Sequence, residues 1–207
     1  MPKVTDAYLK ARRQEILEAA IACFTRKGFH QTTIDDICEE AELSPGAVYR
    51  YFTGKDEIIQ AAARQGHDLD LQQWIEEEVE RFDDFLKLIE MFTRLSYQRY
   101  EQGEDTMMTM KLRLWAWAEA LQNPEVREEV LKRWETHLAV TEQMVRRAQE
   151  LGQINSDLDP GAVARVMQAI GDGLTLQWTI NPDFDIWQFQ EVELALYGGT
   201  FWQREKV

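Results

Sequence analysis

The stretch Ser44-Pro45-Gly46-Ala47-Val48-Tyr49-Arg50-Tyr51-Phe52 holds the residues of this 207-residue chain best suited to chemistry on another macromolecule. Read as a short helix, it has Ser44 as cap and Pro45 at the first position, where a missing N–H costs nothing. Val48 and Phe52 then point inward, leaving Gly46, Tyr49 and Arg50 outward at i, i+3 and i+4. An arginine so placed can form paired hydrogen bonds to a guanine edge. A tyrosine can meet a thymine methyl or a phosphate, and a glycine lets backbone come close to a base. Lys55 and the N–H groups that open a helix at Thr33 could hold phosphates. The chemistry is recognition rather than turnover. No nucleophile elbow, phosphate loop, HExxH or CxxC is present, and no cofactor is expected.

Such a helix needs neighbours that fix its angle. Ile16, Leu17, Ala20, Cys23 and Phe24 give residues 7–27 one apolar helical face, and Gly28 follows Arg26 and Lys27 as a stop signal. Thr33-Ile34-Asp35-Asp36 resembles a capping box with Asp in place of Glu, opening a short helix with Ile34, Ile37, Cys38 and Ala41 inward. Two short helices joined by Glu42-Leu43 behind a longer one have helix-turn-helix proportions. Longer helices are predicted over about 56–81 (bent or broken near Gly66), 83–101, 106–121, 124–151, 160–180 and 186–197. Asp159 and Pro160 mark one of the starts. The fold class is all-α.

The net charge of -14 argues at first against nucleic acid. Residues 1–55, however, hold eight Lys/Arg and eight Asp/Glu, so the whole excess lies in residues 56–207. Two functional zones follow: a neutral head over 1–55 and an acidic helical domain over 56–207. No run approaches the ~18 apolar residues of a membrane span, the first residues lack an apolar signal core, and there are only two cysteines. A cytoplasmic protein without a disulfide scaffold is expected. Cys23 and Cys38 read as small inward hydrophobes. His30, His67 and His137 have no metal-ligand spacing.

The residues from Ala7 to about Ala63 resemble the DNA-binding domain of TetR-type transcriptional repressors. The likeness is carried by Ile16-Leu17-Glu18-Ala19-Ala20, Phe24, Gly28-Phe29, Thr32-Thr33-Ile34, Ile37, Ala41, Ser44-Pro45-Gly46, Val48-Tyr49-Arg50-Tyr51-Phe52 and Lys55. The resemblance implies a three-helix DNA-binding domain followed by a larger helical domain for ligand binding and dimerisation. It implies that Thr33, Tyr49, Tyr51 and Lys55 touch the DNA backbone, with Pro45, Gly46, Ala47 and Arg50 at or near base edges, and Ser44 is counted with them among the DNA-binding residues. The family's turn often has Gly where this chain has Glu42. Its carboxylate either faces away from the phosphates or lowers affinity.

Helix 106–121 is apolar on two sides: Met107, Met110, Leu114, Trp117 and Leu121 on one, Met108, Leu112 and Trp115 on the other. Met and Trp suit a pocket for flat apolar compounds. The expected pocket combines Met107, Met110, Leu114 and Trp117 with Met91, Leu95, Trp134, Met144 and Trp178. Glu119 and Asp172 lie among apolar neighbours and need a partner if buried, either an arginine or a cationic ligand. Small residues in 160–180, and Ile186, Phe189, Val192, Leu194, Leu196 and Trp202 after it, suit a four-helix interface between two copies. Together these features predict a homodimeric repressor, released from a pseudo-palindromic operator by a small-molecule effector. The alternative is a helical sensor or scaffold acting through protein partners without specific DNA binding.

Overall fold

The Thr5 hydroxyl accepts the Tyr8 N–H and opens helix α1 (Asp6–Gln31). The computed structural model describes residues 5–64, 79, 81–101 and 104–199. On α1 the five residues expected inward are all buried. The helix breaks at Gly28, whose φ of 78° and ψ of 166° leave the helical region, and one more turn follows. Helix α2 (Ile34–Glu40) starts with the capping box. Thr33 Oγ1 accepts the Asp36 N–H at 3.1 Å, and the Asp36 carboxylate accepts the Thr33 N–H at 2.8 Å.

Helix α3 (Pro45–Val48) is capped by Ser44, whose hydroxyl accepts the Ala47 N–H at 3.3 Å. It is shorter than the helix expected to reach Phe52. Beyond Val48 the chain tightens, with Arg50 and Tyr51 N–H groups reaching carbonyls three residues back. The run of β-branched and aromatic residues from Val48 to Phe52 favours helix poorly, and Thr53-Gly54 ends it. Helix α4 (Lys55–Arg64) follows. Glu57 in its first turn accepts the Thr53 N–H at 2.7 Å, and this bond holds the Glu57 carboxyl below its ordinary pKa. The expected continuation over 65–80, with its bend near Gly66, lies outside the described residues except for Val79.

The remaining described helices are α5 (Phe85–Glu101), α6 (Glu104–Ala120), α7 (Pro124–Glu150), α8 (Pro160–Ile180) and α9 (Ile186–Tyr197). Among the described residues there is no strand, and no helix is long and apolar enough to cross a membrane.

Two compact units divide the chain: residues 1–67 with 108–133, and residues 68–107 with 134–207. In the first, Ile16, Phe24, Phe29, Ile37, Val48, Phe52 and Ile58 are fully buried, with Phe24 and Phe29 edge to face at 4.8 Å between centroids. Gln60 of α4 hydrogen-bonds Glu125 of α7, and Arg64 pairs with Glu129 at 3.1 Å. Arg127 donates to the carbonyls of Ala120 and Leu121, so the end of α6 is fastened to the start of α7.

The second unit has its own core of Val79, Phe82, Phe85, Leu88, Ile89, Val140, Met144 and Ala148. Gln153 Oε1 accepts the Phe85 N–H at 2.7 Å, and Gln190 Nε2 donates to Thr93 Oγ1 at 2.6 Å. Asp159 caps α8 as expected, accepting the Ala162 N–H at 2.8 Å. Ile186 is buried and Leu194 packs against this core, so these two face inward rather than toward a second copy. Trp202 lies outside the described residues.

Candidate nucleic-acid interface

Val48 and Phe52 anchor the α3 segment and are fully buried. Arg13 fixes Phe52 from behind, its guanidinium 4.2 Å from the ring centroid and 3.2 Å from Glu57. This anchoring turns Ser44, Pro45, Gly46, Tyr49 and Arg50 outward, with Ala47 and Tyr51 half-buried. Tyr49 is 54% exposed. A Cβ added at Gly46 would meet nothing within 4 Å, so packing inside the chain does not require glycine there.

Most cations of the head are already engaged. Arg12 pairs with Glu15, Arg26 with Glu40, and Lys27 with Asp36 at 2.6 Å. The Lys27 ammonium, then the Thr33 N–H and hydroxyl, hold the Asp36 carboxyl well below the usual carboxylate range. Lys55 Nζ donates to the carbonyls of Thr32 at 3.1 Å and His30 at 3.3 Å. Among the described residues of the head, Lys10 and Arg50 are the cations whose side chains have no partner within the chain.

Thr33 and Lys55, expected at the phosphates, therefore donate to partners within the chain in this arrangement. The Thr33 hydroxyl donates to Asp36 at 2.8 Å, and Lys55 ties the start of α4 to the turn after α1. Glu42, the residue standing at the family's glycine, has φ of 52° and an exposed side chain. The backbone there is left-handed, which explains why glycine suits the position.

The expected effector residues are divided between the two units. Met110, Leu114 and Trp117 are half-buried in the first. Met91, Leu95, Met107, Trp134, Met144 and Trp178 belong to the second. There Met144 is part of the hydrophobic core and Trp178 is buried, while Met91 and Leu95 are exposed. A cavity of about 10 Å³ in the first unit is lined by Ala62, Ala63, Thr109, Leu112, Arg113, Ala116 and Arg133. It has room for one water and no more.

Glu119, 11% exposed, has a partner that sequence spacing did not suggest: His30 Nε2, 3.3 Å from its Oε2. Cys23 and Cys38 are buried and unbridged, and burial pushes both thiols up in pKa. No group of three metal-ligating side chains occurs among the described residues.

Known proteins match both parts of the chain. Residues 16–62 match the model of bacterial regulatory proteins of the tetR family, and residues 98–195 match the C-terminal domain of BetI-type transcriptional repressors. The chain is 29% identical over 159 residues to the HTH-type transcriptional regulator UidR of Escherichia coli K12, covering 75% of each. It is 26% identical over 204 residues to the regulator SrpR of Pseudomonas putida, covering 98% of this chain and 89% of that one. Among solved structures, SmeT, repressor of the Stenotrophomonas maltophilia multidrug efflux pump SmeDEF, has a TM-score of 0.70 at 25% identity, with 89% of this chain and 87% of SmeT covered. The SmeT–triclosan complex has a TM-score of 0.73 at 25% identity, with 90% of each chain covered. With an N-terminal helix-turn-helix and matches over both parts, the chain belongs to the TetR family of DNA-binding transcriptional regulators.

Proposed function

We propose that residues 1–55 read one half of a pseudo-palindromic operator through the segment Ser44–Tyr51. Arg50 meets a base edge or a neighbouring phosphate, Gly46 and Ala47 allow close approach, and Tyr49 and Tyr51 contact the backbone. The observation that carries this reading is the contrast among the cations. Arg50, on the α3 segment, is exposed without a side-chain partner while Arg12, Arg26, Lys27 and Lys55 are engaged, and four residues before it Gly46 has open space where a side chain would stand. Thr33 and Lys55 flank this surface and reach phosphates only by exchanging their present partners.

Residues 56–207 then hold the effector and the dimer contact. Val166, Leu176 and Ile180 of α8 and Val192 and Leu196 of α9 are large apolar side chains left exposed on one copy, Ile180 to 73%. Burying such a face against a second copy lowers its free energy and links two heads, raising operator affinity through effective concentration. The Met- and Trp-rich residues of α6 and its neighbours suit a small apolar effector, and SmeT with triclosan is a relative of that kind. Effector binding favours a conformation whose heads no longer match adjacent major grooves, with α4 as the lever. The protein works in the cytoplasm by binding, without turnover.

The test is a titration of the purified protein on its own upstream intergenic DNA, and on duplexes selected from a random pool, at two salt concentrations. Specific, salt-dependent binding of one dimer per site is expected. A folded dimer that binds no duplex specifically would replace this reading with a sensor acting through protein partners.

A further inference from the structure

We infer that α6 sets the position of the DNA-binding head through the Gly28–Thr32 turn, with Trp115 and Glu119 as positioning residues for operator binding. The turn is the hinge of the head: it ends α1 and delivers the chain to Thr33, where α2 begins. Its own bonds make it a unit. The Gly28 carbonyl accepts both the Thr32 hydroxyl at 2.8 Å and the Thr32 N–H at 3.3 Å, and Thr32 and Phe29 are buried.

Two contacts join this turn to α6. A Cβ on Gly28 would lie 3.0 Å from two ring carbons of Trp115, so the indole rests directly on the glycine backbone. One turn of helix further along α6, Glu119 reaches His30 at 3.3 Å. Glycine at 28 is therefore required twice, by its φ of 78° and by the ring above it. Lys55 holds the turn from the α4 side through the His30 and Thr32 carbonyls.

The end of α6 is tied to the start of α7, because Arg127 binds the Ala120 and Leu121 carbonyls. A shift of α6 along its axis must therefore push the turn or break the indole and carboxylate contacts. Either result reorients α2 and α3, which are packed on α1 and on each other, without any change in the DNA-facing side chains.

The test, granted the operator reading on which it rests, uses the full-length dimer and a duplex that the unmodified protein binds specifically. Trp115→Ala and Glu119→Gln are each expected to weaken operator binding about fivefold or more. Their melting temperatures should stay close to that of the unmodified chain, because one side chain is partly exposed and the other change is isosteric. The salt slope should not change, since no phosphate contact is removed. Amide hydrogen exchange should speed up over residues 28–52 and not in α8. Trp115→Phe, and the exchange of partners His30→Glu with Glu119→His, should restore binding.

Variants that bind as tightly as the unmodified chain, or that weaken only in step with a lower melting temperature, would overturn the inference alone. Absence of specific binding by the unmodified chain would instead overturn the operator reading and this inference with it.

Discussion

Glu42 holds a left-handed backbone at φ 52°, a region that costs a side-chain-bearing residue roughly 1 kcal/mol relative to glycine. It also places an exposed carboxylate in the turn between α2 and α3. Glu42→Gly is therefore expected to raise stability by up to about 1 kcal/mol, less the entropy that glycine adds to the unfolded chain. The same change should tighten operator binding, more at low salt than at high salt. Chemical denaturation and a titration at two salt concentrations check the two effects separately. Arg50 gives the opposite contrast. Its side chain has no partner within the chain, so Arg50→Ala should leave stability within about 0.5 kcal/mol. It should cost about 1–3 kcal/mol in binding if the guanidinium reads a base, with relaxed selectivity at one position. A uniform loss across all duplexes, with a shallower salt dependence, would reassign it to a phosphate.

At the scale of elements, the start of α2 carries an ion pair in addition to its capping box. Lys27 and the Thr33 donors lower the Asp36 pKa, so Asp36 contributes stability that is present above the ordinary carboxylate pKa of about 3.9. That contribution fades as pH falls from there toward the folded value. Asp36→Asn should consequently destabilise the protein at pH 7, and the gap to the unmodified chain should narrow at pH 3. Denaturant midpoints at the two pH values measure it, and an equal gap at both would mean that Asp36 acts only as a cap. Arg26 acts on Glu40 in the same direction at the other end of α2. The helix starts were largely legible in sequence because they are local: Thr33 with Asp36, Ser44 with Ala47 and Asp159 with Ala162 each act across three residues. The length of α3 was not. Its early tightening reflects a run of poor helix formers held in place by the buried Val48 and Phe52.

At the scale of the whole molecule, the exposed apolar side chains of α8 and α9 set the expected assembly. Ile180→Glu combined with Val192→Glu places two charges on a face that is open in one copy, so each copy should still fold. Sedimentation should show monomers, and operator affinity should fall steeply as the link between heads is lost. A variant that remains dimeric would place the contact elsewhere. The sequence reading selected Ile186 and Leu194 for the same face. Both turn into the second unit instead, because a period of 3.6 residues carries two apolar stripes around α9 and only packing decides which is covered.

The all-α class, the order of the described helices and the helix-turn-helix head were legible in the residues alone. These follow from apolar periodicity, caps and glycine stops, which act over a few residues. The partners of the partly hidden polar groups follow from packing instead. Lys55, expected at a phosphate, also secures two backbone carbonyls of the turn before α2. Glu119 looked as though it needed an arginine or a cationic ligand, yet it meets His30. Gly28 looked like a simple helix stop, yet it also makes room for Trp115. Each partner lies far away in the chain, and nothing in local spacing selects it. Only the packed backbone brings those groups to within bonding distance.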